Sequence, residues 1–501
     1  MLETLDKDIE INLEYIKDRF KDCDDLIYRR LELGREKTIK IAFILIDGLA
    51  SKDELSDFVI ENLIAEGELD LSNIDDYKNT FLDFIMKEGI STAEVKEEKD
   101  FEKILNLLLS GETIFLIDGI DTSIIIGSRG WFMRSINESV TEAIIRGPRD
   151  GFTETLRVNT TLVRRRIKDT NFKIKMYKVG RRSQTDVALL YIEDIVDMKL
   201  LDEVKNRILD VDIDAVLDSS ILEHLIEDNY LSPFPQIENT ERPDSVAASL
   251  YEGRVALIVD NSPFALVVPA TLGTLLQSSE DHYNRWIETS AVRLIRILAV
   301  FLSFLAPALY IAITAYHPGI IPTRLIYYLA ASRINVPFPA VVEATMMEIT
   351  MEIIRQAGTR ISGPIGSTIG IVGGLIIGQA AVEAGIVSNL LIIVVAITTI
   401  STFAIPSYEL ASALRLAKFG FIALAGLMGL YGIMIGVILL GSHLVIMTSF
   451  GTPITSPYSG LGIEEGDLKD SFVKAPIQRL WMRPGFTNPQ NKKRMKSGKK
   501  K

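Results

Sequence analysis

The chain has 501 residues and a formal net charge of −12, with a pI near 5.1; this balance excludes a general affinity for nucleic acid, and the length exceeds one domain of roughly 100–200 residues. A single cysteine, Cys23, excludes an internal disulfide and fits a reducing compartment. Four scattered histidines give no metal site, and the absence of Walker A, GxGxxG, HExxH, CxxC and GxSxG stretches leaves neither a catalytic residue nor a cofactor to expect, so the chain does not read as an enzyme.

The start, MLETLDKDIEINLEY, lacks the basic and apolar regions of a signal peptide, so the N-terminal part is expected to stay cytoplasmic. Residues 1–35 read as a charged helical lead. An α/β subdomain follows over 36–145. KIAFILIDG (40–48) reads as a strand ending in a turn. SKDELSDFVIENLI (51–64) reads as a helix capped by Ser51, with Glu54 completing a capping box. ETIFLIDG (112–119) and SIIIGSRG (123–130) read as a hairpin. Asp118 and Asp121 beside it fit turn chemistry better than acid–base work.

A second α/β subdomain spans 146–230. Thr153 is the expected cap of a helix carrying Leu156, Thr160, Val163 and Ile167 on one face. The Arg164–Arg166 cluster reads as a solvated face of that helix, or else as a seat for phosphate or an acidic partner. FKIKMYKVG, DVALLYIED and DAVLD (214–218) read as strands, and 202–209 and 220–228 as helices. A Pro-rich passage then breaks the periodicity. It opens a linker and β-hairpin over 231–290, the hairpin turning at Asn261–Pro263.

The last two-fifths differ in kind. Residues 297–316 carry no charge, 361–408 carry only Glu383, and 419–463 carry no acid, lysine or arginine. About 20 apolar residues cross a bilayer core, so an all-α polytopic membrane domain is expected over 291–450. Four spans are placed at about 297–316, 364–383, 386–406 and 419–444, without an internal repeat. Arg285, Arg293 and Arg296 precede the first, as the positive-inside rule expects. Arg355, Arg360, Arg415 and Lys418 fall outside on this count, against that rule.

In the second span Gly366, Gly370, Gly374 and Gly378 recur every fourth residue, a spacing that lets helix backbones approach closely. They are candidates for a pore lining or a packing stripe, with Gln379 and Glu383 one turn apart after them. Residues 318–360 are too polar for a simple span. A re-entrant or amphipathic segment over 320–357 is expected, with Glu348, Glu352 and Arg355 on one face and Glu343 on another. Glu343, Glu348 and Glu352 are the candidate cation-facing residues, an interfacial helix with a solvated face being the plainer alternative. Residues 451–501 read as a cytoplasmic basic tail.

Several stretches together resemble one family. RGPRDGF (146–152), NTTLVRRRIKD (159–169), ERPD (241–244), YEGRVALIVDNSPFALVVPAT (251–271), PFPAVVEA (337–344) and GPIGSTIGIVGGLIIGQAAVEAGIVS (363–388) resemble the A subunit of GerA-type spore germinant receptors, as do LKD (468–470) and RP (483–484). The resemblance implies a cytoplasmic head of two α/β subdomains on a multi-pass domain in the inner spore membrane. It implies a permease-like B subunit that carries the nutrient site, a lipoprotein C subunit, and self-assembly of the A subunit into a nutrient-gated cation channel among membrane lipid. An A-type paralogue that amplifies germination without sensing a nutrient is the alternative. A secondary transporter fits less well, because no repeated halves with paired broken helices are seen.

Overall fold

The computed structural model describes residues 3–33, 39–51, 95–130, 138–139, 141–360, 378–459 and 470–495. The helix expected over 51–64 lies outside them except for Ser51, as do Gly366, Gly370 and Gly374. The chain divides into two compact units. One, the head, is Met1–Glu227 with Ile237–Pro269 and Met482–Lys496; the other is Asp228–Gln236 with Ala270–Trp481 and Ser497–Lys501.

The head is one unit built twice. Its first half carries α1 (Ile9–Arg19), β1 (Leu26–Leu33), β2 (Ile39–Ile46), β3 (Val95–Glu98), α2 (Phe101–Leu108), β4 (Thr113–Ile117) and β5 (Ser123–Ile126). Its second carries α3 (Leu156–Arg164), β6 (Phe172–Val179), β7 (Thr185–Ile192), α4 (Met198–Leu209), α5 (Ser219–Ile226), β8 (Glu238–Thr240), α6 (Pro243–Tyr251), β9 (Val255–Val259) and β10 (Ala265–Val268). Both sheets are antiparallel and share a strand order, β1-β2-β4-β5-β3 and β6-β7-β9-β10-β8. The hairpin at Asn261–Pro263, assigned from sequence to a linker, is thus the closing pair of the second sheet. The expected helical lead ends at Arg19, and β1 follows.

The repeat reaches single hydrogen bonds. The amide of Ile9 donates to Asp118 Oδ1 (3.3 Å), and that of Leu156 donates to Asp260 Oδ1 (3.1 Å), so each carboxylate caps the first helix of its half. Asp118 is therefore a helix-terminus partner, while Asp121 is exposed and paired with Lys99 at 2.9 Å. Asn12 closes a loop with Asp6 (2.9 and 2.7 Å) as Asn159 does with Thr153 (2.8 and 2.5 Å). Thr153 thus serves Asn159, and Thr155 holds the N-cap position of α3. Gly111 and Gly253, at φ of +95° and +89°, end α2 and α6 in the left-handed region. Over 101–118 and 243–260 only Leu108/Leu250, Gly111/Gly253 and Asp118/Asp260 are identical, so the repeat is carried by pattern rather than by residues.

Alternate residues of β2 and β4 point to opposite faces of the first sheet. Ala42, Ile44, Ile46, Ile114 and Leu116 join Ile16, Phe101 and Ile104 in one cluster; Ile41, Phe43, Phe115 and Ile117 build another. DAVLD forms no strand. Its backbone is taken instead by neighbouring groups: the amides of Arg181 and Arg182 donate to Ile213 O and Asp214 O (both 2.8 Å), and Thr185 Oγ1 donates to Val216 O (2.7 Å).

The two halves are joined by a buried ion pair. Arg164, 1 % exposed, donates to both oxygens of Asp25 (2.9 and 2.8 Å) and to Phe172 O (2.8 Å), and its guanidinium lies 4.5 Å from the centre of the Phe172 ring. Arg166 donates to both oxygens of Asp150 at 2.6 Å. These two arginines are structural, not the solvated or phosphate-binding face expected, because the end of α3 and the turn after it direct them toward carboxylates more than ten residues away in the chain. Residues 22–25 also cover the edge strand β6: Asp24 N–H donates to Ile174 O (2.9 Å), Met176 N–H donates to Asp24 Oδ2 (2.8 Å), and Lys175 meets Asp22 at 3.0 Å. Cys23 is enclosed there, and burial pushes its thiol up.

The connection between the halves is tied to the second. Ser139 Oγ donates to Glu241 (2.6 Å), Thr240 Oγ1 donates to Glu142 (2.8 Å), and Arg242 donates to Pro148 O (2.6 Å) and Glu142 O (3.3 Å). Burial pushes the Glu142 carboxyl up to about 7; Thr240 and Arg242 oppose the rise, and Glu238 and Glu241 add to it. From the ordinary value of 4.5 up to about 7 the folded chain therefore binds this proton more tightly than the unfolded chain. Stability is expected to fall as pH rises through that window. Melting of the full-length protein in detergent between those values should show the slope, and Glu142→Gln should flatten it.

The segment after Met482 returns to the head. Arg483 donates to Tyr251 O (2.7 Å), Thr487 to Glu252 O (2.7 Å), Asn488 to Asp197 (2.9 Å), and Gln490 to Ile195 O and Val196 O (2.9 and 2.7 Å). Residues 482–495, part of the expected basic tail, are built into the second half.

The other unit holds α7 (Trp286–Ile311), α8 (Thr323–Arg333), α9 (Ala340–Arg360), α10 (Asn389–Phe403), α11 (Tyr408–Met428) and α12 (Leu430–Ile446). α7, which continues as a wider turn to Tyr316, and α11 are long and apolar enough to cross a membrane, while α10 and α12 are shorter apolar helices. This composition associates the chain with a membrane. The single span expected over 419–444 is corrected: Gly429, at φ +58°, separates α11 from α12. The chain folds back there, bringing Gly432 against the Leu424 backbone and Gly436 against Phe421. Phe304 of α7 meets Phe421 with ring centres 5.0 Å apart, in a core with Ala308, Ala344, Leu391, Val395 and Ala425.

Candidate functional site: a ladder of buried carboxylates

Helix α9 begins after Pro339 and runs 21 residues. Its acids stand at 343, 348 and 352, a climb of roughly 13 Å at 1.5 Å per residue. The turn per residue puts Glu348 and Glu352 on neighbouring faces and Glu343 well away from both, as their partners reflect.

Glu343 is 0 % exposed. Arg333, the last residue of α8, donates to its Oε1 at 2.7 Å, and the Ser388 amide donates to its Oε2 at 3.3 Å, just before α10 begins. Ser388 Oγ in turn shares a 2.8 Å hydrogen bond with Tyr310 of α7. This carboxylate thus gathers three helices.

Glu348 is 1 % exposed. Lys418 of α11 donates to its Oε2, and Oε1 has no partner among the described residues. One turn further, Glu352 takes Arg355 on both oxygens, the Nε contact being 3.1 Å, and Arg415 Nε approaches to 4.0 Å. Arg355 also donates to Tyr408 Oη at 3.3 Å, and Arg415 Nη2 is buried without a partner among the described residues. The solvated-face alternative is corrected for Glu343 and Glu348: helix packing buries both, and each faces a cation of its own chain. The pair expected between Glu352 and Arg355 forms. Arg415 and Lys418, counted from sequence as loop charges on the wrong side, lie inside α11 and are buried.

Lys418, Arg333 and Arg415 were not picked out as partners. The available signal was a lysine and an arginine set in the apolar run ELASALRLAKFGFIAL, where an unpaired charge is costly. Gly378 is buried, with Ile392 the nearest group to a Cβ placed there, while Gln379 donates to Glu383 at 2.9 Å on an exposed surface. Among the described residues no group of histidine, cysteine, aspartate or glutamate side chains could hold a metal ion.

A second charged cluster sits at the start of α7. Arg293 donates to Asp281 (3.1 Å) and to Asp470 (2.7 Å), and Arg296 donates to Asp281 (3.0 Å) and Leu276 O (2.6 Å). Burial acts to raise the Asp281 carboxyl, but Arg296 and Arg293 outweigh it and hold it below the usual range. Arg293 and Arg296 are thus enclosed ion-pair partners rather than free flanking charges. Arg293 binds the 470–474 segment to α7, with Lys474 donating to Asp281 O.

Residues 14–486 match the family described as Bacillus/Clostridium GerA spore germination protein. The chain is 42 % identical over 95 % of its length to spore germination protein GerLA of Bacillus cereus, covering 94 % of that protein. It is 39 % identical over 95 % of its length to the membrane protein YfkQ of Bacillus subtilis (strain 168), covering 90 % of it. Among solved structures, the crystal structure of the N-terminal domain of the A subunit of the Bacillus megaterium spore germinant receptor GerK3 is 29 % identical; it aligns with 54 % of this chain and 98 % of that one at a TM-score of 0.43.

Proposed function

Because the chain belongs to the GerA family of spore germination receptor A subunits, we propose that it is the A subunit of a nutrient-responsive receptor and that its copies assemble into a nutrient-gated cation channel. It sits in the inner spore membrane as a multi-pass protein with a cytoplasmic head. A permease-like B subunit carries the nutrient site and a lipoprotein C subunit completes the receptor.

The observation that carries the channel reading is the ladder on α9. Two carboxylates are enclosed in the helical unit, and each is matched by a cation from another helix. Apolar side chains would hold such helices together at lower cost, because two ions must first be stripped of water. Acids kept at that cost fit a path for cations, with Glu343, Glu348 and Glu352 along it. Gly366, Gly370, Gly374 and Gly378 have the sequence spacing for close helix approach, and Gln379 and Glu383 follow them in the chain.

The test is ion release. Spores in which this chain and its B and C partners are the only receptor should release potassium on addition of nutrient. Glu348→Gln with Glu343→Gln should slow that release several-fold when compared at equal amounts of the chain in the membrane. Release at the normal rate from the double variant would remove these acids from the path.

A further inference from the structure

Two ion pairs in this protein are built from different parts. Arg164 grips both oxygens of Asp25 and leaves neither carboxylate oxygen open, as a planar guanidinium fork does. Lys418 touches one oxygen of Glu348; the other is buried and accepts nothing from the described residues. Nearby, Arg415 on the same helix as Lys418 has a buried Nη2 that donates to nothing among the described residues. A half-satisfied carboxylate in a closed apolar surrounding is costly. A joint meant only to hold would use the fork available from arginine.

An ammonium group is close to a potassium ion in size and charge. It sits on a flexible four-carbon stem, so it can leave without the helix moving. We propose that the Glu348 carboxylate is the centre of a monovalent-cation site and that the Lys418 ammonium is the tethered ion occupying it. Glu352, one turn on, is held by Arg355 on both oxygens and stays closed to such exchange. Withdrawal of Lys418 opens Glu348 to a free cation; return of Lys418 expels it. This deepens the channel reading by naming one residue as the occupant of the resting path.

Lys418→Met removes the tethered ion and leaves the carboxylate. The full-length variant, purified in detergent, should melt several degrees higher in potassium chloride than in choline chloride at equal ionic strength, because a ligand that binds only the folded state stabilises it. The natural protein should show no such difference, since its own lysine fills the site. Neither should Lys418→Met combined with Glu348→Gln, which removes both charges. No potassium-dependent shift in Lys418→Met overturns the proposal, as does an equal shift in the double variant. If Lys418→Met fails to accumulate, with or without Glu348→Gln, the pair is a permanent joint and the proposal falls. This experiment reads binding and not flux. A potassium shift in a protein that passes no ions would retire the channel and keep the site; flux without a shift would do the reverse.

Discussion

Replacing Arg164 with alanine is expected to destabilise the head by roughly 3–5 kcal/mol, the usual cost of stranding one member of a buried ion pair. Asp25 would lose both of its guanidinium bonds, and Phe172 O would lose its donor. The bond also spans two halves that are far apart in sequence, so its loss loosens the cover that residues 22–25 provide for the edge of β6. The measurement is thermal or denaturant unfolding of the full-length protein in detergent, beside Arg149→Ala. Arg149 meets Glu138 at 3.2 Å with both side chains about two-thirds exposed, a pair that contributes ~1 kcal/mol or less. A loss for Arg164→Ala no larger than for Arg149→Ala would show that the pair does not join the halves. Arg164→Met with Asp25→Leu should recover much of the loss, because it removes both charges together.

Substitution of Gly432 is expected to be worse still. A Cβ at that position would overlap the Leu424 carbonyl oxygen, a backbone atom with no side-chain freedom to yield. Even alanine forces α11 and α12 apart, and leucine should keep the chain from accumulating in the membrane. Gly441, on the same helix, has nothing among the described residues within 4 Å of its Cβ position. Gly441→Ala should therefore leave the protein level unchanged or slightly raised, since alanine favours a helix by about 1 kcal/mol over glycine. Immunoblots of membrane fractions from the two variants decide the matter. Equal levels would mean that the hairpin at Gly429 is not the packing that holds these helices.

The central strands of the head were legible because β2, β4, β7 and β9 are apolar runs closed by turn residues. Of the edge strands β6 was legible too, but β3 and β8 were not. β3 is VKEE and β8 is ENT, and nothing in those letters favours a strand. Pairing with β5 and β10 makes them strands. DAVLD shows the opposite failure: it has the composition of a strand, but the groups around it bind its backbone as a loop. In the helical unit the acids of α9 stood out, since carboxylates beside apolar runs demand a reason. Their partners did not, because Lys418 lies 70 residues from Glu348 and only the packing of α9 on α11 brings the two together. The break at Gly429 was hidden for a different reason. LAGLMGLYGIMIG carries no polar residue to mark a turn, and one glycine among several takes the left-handed backbone.

Under the proposed membrane placement, the clasp of residues 482–495 on the head also bears on a matter of counting. The chain leaves the head at Pro269 and is back in it by Met482. A path that starts and finishes in one body, on one side of a bilayer, pierces that bilayer an even number of times. With the head on one side of the membrane, as proposed above, an epitope placed after Arg494 is expected to be reached from the same side as one placed near Glu3, whichever helices cross between them. Parity also constrains descent: a relative that gained or lost a single crossing within 270–481 would have to surrender the clasp, whereas gain or loss of a helical pair would leave it in place.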